Sequence, residues 1–210
     1  MLDPVFGVEM SATGSGTLDE DEIDIAYGER LLDRKYVAVF SRYFASNDRD
    51  IIATRFDMLS KSLEQTYVIE ADIGFIDTDP AIAFNAQEGT FPIVWRRQEG
   101  TLGDPVVQAS YVPIDSSSVP FKVVLGGGEF PDVGASRIGG DRAICVFKSG
   151  SLVRTRRFTV GSGQALTLGP SFTVMTLTPG AIGFADPSIT RAAHSTHASR
   201  HDCPACTRTR

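Results

Sequence analysis

The first 190 residues contain no histidine; His194, His197 and His201 all fall in the last twenty positions. That absence excludes Ser-His-Asp and Cys-His machinery from the body of the chain, unless the tail reaches back to supply the base. Cysteine is almost as scarce. Cys145, Cys203 and Cys206 cannot build a disulfide framework, and they leave the compartment open. No apolar run approaches the roughly 20 residues a helix needs to cross a bilayer, so no membrane span is expected. Residues 1–10, MLDPVFGVEM, have neither a basic n-region nor an apolar core, so the sequence predicts no secretory signal. Neither a Gly-x-Ser-x-Gly elbow nor a Walker loop occurs. Net positive charge is missing as well: the chain carries -6 at pH 7, which argues against nucleic acid as a partner.

What is present is a phrase that recurs every fifty-odd residues. Three apolar stretches close on an aromatic, "YVAVFSR" at Phe40, "FPIVWRR" at Trp95 and "RAICVFK" at Phe147. Each is preceded by a short apolar stretch ("EIDIAYG", "PAIAFN", "PDVGAS"). Each is followed by an alternating one ("DIIATRFDM", "PVVQASYVP", "LVRTRRFTV") and then by a fourth ("TYVIEA", "PFKVVLG", "SFTVMTL"). Gly, Pro, Asp, Asn and Ser punctuate them, so each unit reads as four short strands. In residues 50–58, Ile52, Thr54 and Phe56 share one face, and Ile51, Ala53 and Arg55 the other. No stretch of the body sustains a 3.6-residue apolar period. The fold class expected is all-β.

Four-stranded units at this spacing suit a β-propeller-like array, whose blades recur at roughly 40–50 residues. The alternative is a β-sandwich, which tolerates many short strands but gives no reason for a fourfold pattern to repeat. In the array Phe40, Trp95 and Phe147 are structural plugs between successive sheets. The expected organisation is a lead-in strand and flexible loop over residues 1–20 and a β-repeat domain over 21–190. Its units span about 21–71, 78–126 and 130–177, with a further one starting at 183–190. A disordered or aberrant tail over 191–210 follows. Three units are fewer than the roughly four to eight blades of closed propellers. A partial array, closure by self-association, or an open sheet edge follows from that count.

The phrase "DTDPAIAFNAQEGTFPIVWRR", with "DIIATRFDM" before it and "VVQASYV" after it, resembles degenerate repeats of bacterial, often secreted, propeller-like proteins. The resemblance covers about residues 20–190 and is clearest in the middle copy. It implies a fold and an extracellular setting, and it specifies no chemistry.

Candidate chemistry is sparse. Asp77 and Asp79 in "FIDTDPAI", Asp132 in "FPDVG" and Asp186 in "FADPSI" recur at the start of a unit. Asp79 and Asp132 are the weak catalytic candidates, as carboxylates of a glycosidase or lyase. The plainer reading has them cap turns through hydrogen bonds to backbone. No calcium-loop spacing occurs, even in the acidic run "LDEDEID" at 18–24. His194, His197, His201, Cys203 and Cys206 have metal-ligand chemistry, but they are crowded and lack apolar support; an unstructured tail accounts for them. That tail carries four arginines against Asp202, net +3, which leaves -9 on the first 190 residues.

The glycine-rich "LGGGEFP" and "VGSGQ" sit between strands and read as turns. Arg154 with Arg156, and Arg96 with Arg97, read as solvated or cross-strand-paired positions. Cys145 reads as a small buried hydrophobe. The expectation is a non-catalytic scaffold or ligand-binding module with no cofactor, taking a carbohydrate or protein ligand. The carboxylate-dependent glycosidase or lyase is the alternative.

Overall fold

A computed structural model describes residues 20–30, 33–117, 121–136, 142–160 and 165–177. The expected lead-in over 1–19, the start of a further unit at 183–190 with Asp186, and the tail holding His194, His197, His201, Cys203 and Cys206 lie outside the described residues, as does nearly all of "VGSGQ". No helix occurs among the described residues, so none is long and apolar enough to cross a membrane.

Twelve strands form three antiparallel meanders. The first comprises β1 (Glu20–Arg30), β2 (Asp33–Ala45), β3 (Asp48–Asp57) and β4 (Ser62–Glu70). The second comprises β5 (Phe75–Ile82), β6 (Thr90–Glu99), β7 (Val106–Pro113) and β8 (Val123–Gly127). The third comprises β9 (Glu129–Ala135), β10 (Arg142–Ser149), β11 (Leu152–Val160) and β12 (Leu166–Thr176). A single parallel pair, Arg49 with Ile76, bridges the first two. The third is a separate sheet, and neither sheet closes on itself. Strand starts differ from the sequence reading: β5 opens at Phe75 and β9 at Glu129, upstream of their prolines. A bulge in each strand, described below, lets pairing continue across the proline that seemed to begin it.

Alternation along each strand sends apolar side chains to two seams. One cluster joins Val37, Val39, Ile51, Ala53, Tyr67 and Ile69 of the first meander to Phe84, Phe91, Ile93, Trp95 and Ile114 around the second. Another joins Ala81, Ala83, Val94, Val107, Ala109 and Leu125 to Val133, Ala143, Cys145, Phe147 and Phe158 of the third. Ile93 and Trp95 thus face one neighbour and Val94 the other. β6 is apolar on successive residues because both of its faces are covered.

The first strands β1, β5 and β9 share an irregularity. In each, two residues oppose one on the partner strand, and the first of the two has a left-handed backbone: Glu22 (φ 53°), Asp79 (φ 53°) and Phe130 (φ 51°). Register shifts fall between Asp21 and Asp24, between Thr78 and Ala81, and opposite the Val146–Lys148 step. The single residue left opposite each bulge is Phe40, Trp95 and Phe147 in turn. Their exposures are 0%, 0% and 1%. Trp95 and Phe147 belong to the two seam clusters, whereas Phe40 points away from Val37 and Val39, on the opposite face of the first meander.

Candidate functional site

The bulges leave backbone donors that the ladder does not use. Glu22 of β1 takes up the one at the β5 bulge, Asp79 N donating to its Oε2 at 2.8 Å; past the bulge, Ile82 N donates to Asp24 Oδ2 at 2.9 Å. Ser41 Oγ of β2 donates to the Asp77 carbonyl at 2.8 Å. Glu22 and Asp24 of the acidic run therefore lace β1 to β5. Burial raises the Glu22 carboxyl above its ordinary value, against the opposing pull of the bond from Asp79 N.

One end of the first seam is polar. Asp77 in β5 pairs across the ladder with Arg97 in β6, and Trp95 lies two residues before Arg97 on the same face. Trp95 Nε1 donates to Asp77 Oδ1 at 3.1 Å. Asp77 is 0% exposed, and its second oxygen, Oδ2, has no hydrogen-bond partner. Burial pushes this carboxyl up to about 7; Arg97 opposes the rise, Glu70 and Asp50 add to it, and the Trp95 bond lowers it.

Arg97 is turned to other partners. It forms an ion pair with Glu70, donates from Nη2 to Asp72 Oδ2 at 2.7 Å, and stacks over the Phe75 ring with its guanidinium carbon 3.7 Å from the centroid. Glu70, at the end of β4, is fully buried, and its Oε1 also accepts from Lys122 Nζ at 2.7 Å. The bond from Arg97 holds the Asp72 carboxyl below its usual range. Nearby in β3, burial and the Asp48 charge push Asp50 up to about 6.

Beside this network lies an open groove of about 400 Å³, lined by Glu70, Asp72, Arg97, Gln108, Lys122, Val123 and Val124. Its two cations face two carboxylates, so the lining carries no excess charge. Gln108 and Lys122 offer donors, Asp72 an acceptor, and Val123 and Val124 some apolar surface. Among the described residues no group of three or more His, Cys, Asp or Glu is placed to hold a metal ion.

Asp79 and Asp132 are not part of the groove lining. Asp79 carries the β5 bulge, and Asp132 Oδ1 accepts from the amide of its neighbour Val133 at 2.7 Å. Of the two readings of these arginines, solvated or cross-strand-paired, the structure favours pairing. Arg97 is buried in the network, and Arg156 donates to the carbonyls of Leu125 and Gly169 at 2.6 and 3.1 Å, tying β11 to its neighbour β12 and across the second seam to β8. Arg154 has its Nε buried. Cys145 is 0% exposed, and burial raises its thiol well above the ordinary range.

Sequence reasoning missed Glu70, Asp72, Gln108 and Lys122. The available signal was a charge two residues from the tryptophan, Arg97, facing Asp77 once the strands are paired. No protein-family model matches the chain, and no curated protein matches it.

Proposed function

We propose that the chain is a non-catalytic, propeller-like β-repeat module that binds a small polar ligand of the carbohydrate class in the groove between its first two meanders. The observation that supports the repeat is the threefold recurrence of a left-handed residue, a bulge and a large buried aromatic opposite it. Unrelated sheets have no reason to repeat a strained backbone position at matching register.

Binding without catalysis fits the groove. Its size is that of a small-ligand site. Its donors and acceptor suit hydroxyl groups, and its carboxylates are neutralised by Arg97 and Lys122. The carboxyl whose affinity for a proton lies near neutrality, Asp77, is wholly buried and so has no path to a substrate. The apolar outward face of the third meander, with Ile144, Phe172 and Met175 exposed, fits an array that continues by self-association.

Titration of the ¹⁵N-labelled protein with a panel of neutral oligosaccharides tests the reading. The expected result is saturable movement of the Val123 and Val124 amide signals, weakened at least tenfold by Gln108→Ala and by Lys122→Ala. Absence of movement with every sugar sinks the binding reading. Release of reducing ends that disappears in Asp79→Asn or Asp132→Asn establishes the enzyme in its place.

A further inference from the structure

The Asp77–Trp95–Arg97 corner has a feature that neither packing nor ligand binding requires. A buried carboxyl has one oxygen bonded to the indole and the other bonded to nothing, while the cation directly across the ladder faces elsewhere. We infer that Asp77 and Arg97 form a proton-operated latch: while Asp77 holds its proton, Arg97 stays clamped to Glu70 and Asp72, and when Asp77 ionises, the guanidinium swings across the ladder to it and loosens one wall of the groove.

An ionised carboxylate with an unbonded oxygen in a buried seam is costly, so ionisation demands a cationic donor. Arg97 is the cross-strand partner, with Cβ atoms about 5 Å apart for such a pair. The other charged groups that act on Asp77, Asp50 of β3 and Glu70 of β4, both repel the new charge. Lys122, just before β8, is engaged with Glu70.

Release of Arg97 costs little at Asp72, whose side chain is 60% exposed, so water replaces the guanidinium there. At buried Glu70 it costs more: Lys122 stays as counter-ion on Oε1, and Oε2 gives up its cation, so the swing exchanges one buried ion pair for another. Burial already pushes the Asp77 carboxyl up to about 7, which places the switch in the neutral range. Groove residues Glu70 and Asp72 are the ones that Arg97 leaves, so the proton on Asp77 is coupled to the groove's shape. The latch stands whether or not a sugar occupies the groove.

Trp95 is the chain's only tryptophan, so a ¹H–¹⁵N spectrum contains a single indole N–H signal, from the group bonded to Asp77. Followed from pH 5 to pH 9, that signal is expected to move in one sigmoidal step centred near pH 7, with the Val123 and Val124 amides moving in parallel. In Asp77→Asn the step disappears. In Asp72→Asn, which removes an exposed competitor for Arg97, the step remains and its midpoint falls. A flat indole signal in the wild-type protein overturns the inference. So does a step that survives Asp77→Asn, or groove amides that stay still. Should Asp77→Asn fail to fold, the Asp72→Asn midpoint decides: an unchanged or higher value refutes the latch.

Discussion

The two seams are built from different materials. Between the first and second meanders lie Trp95, Tyr67, Phe84, Phe91, Ile51, Ile93 and Ile114, and one end of that seam is a buried ionic network. Between the second and third, four alanines, Val94, Val107, Val133 and Cys145 bring the sheets together, and the large members are Phe147, Phe158 and Leu125. Bulk fills the first seam; close approach closes the second.

Glycines show the same contrast. A Cβ on Gly28 would meet only side chains, Phe84 and Phe91, at 2.5 and 2.6 Å, whereas one on Gly128 would meet the Lys148 carbonyl oxygen at 2.4 Å as well as Phe147. Aromatic rings can shift; a paired strand's backbone cannot without breaking its ladder. Trp95 and Phe147 each lie buried opposite a bulge, yet in seams packed by different kinds of side chain.

The comparison breaks most readily at its plugs. Trp95→Ala removes the largest buried side chain and leaves Asp77 without its indole donor. It is expected to cost about 4–5 kcal/mol in urea denaturation, and Phe147→Ala about 3. Equal losses would erase the distinction between the seams.

Next is pH, which acts on the first seam alone. The Asp77 carboxyl, raised to about 7 from 3.8, keeps its proton in the folded protein while the unfolded chain has lost it. Its contribution is complete below pH 3.8 and is lost as pH rises to about 7, on the order of 4 kcal/mol. Asp50, raised to about 6, acts in the same direction up to that pH. Asp57 and Asp72, both lowered, act oppositely, their support vanishing only as pH falls below the ordinary carboxylate range. Denaturation midpoints at pH 5, 6, 7 and 8 should fall and then level off, and Asp77→Asn should flatten most of the decline.

Gly128→Ala is expected to cost about 2–3 kcal/mol and Gly28→Ala about 1, because only the former meets backbone. The reverse order in thermal melts would contradict the close-approach account. Smallest is Asp79→Gly: relieving a left-handed aspartate should raise stability by up to about 1 kcal/mol, offset by the extra freedom of the unfolded chain.

Much of the scaffold was legible because strand patterning is local. "DIIATRFDM" alternates, "FPIVWRR" is apolar on both faces, and β3 and β6 fall on those stretches. The bulges were not legible. A left-handed Glu22 or Phe130 is a compromise between β pairing and the approach of a neighbouring strand, and neither residue type announces it. The groove was the least legible part. Glu70 ends the first meander, Arg97 belongs to the second, and Lys122 lies further along the chain; they meet only because the meanders stack.

The sequence by itself determined that this chain is all-β, with short strands and buried aromatics, because period-two patterning and turn residues act over a few neighbours. Tertiary structure alone decided which aspartate keeps its proton and which arginine is buried. Such choices depend on solvent exclusion and on charges brought together from separate strands, and no local stretch of residues encodes either.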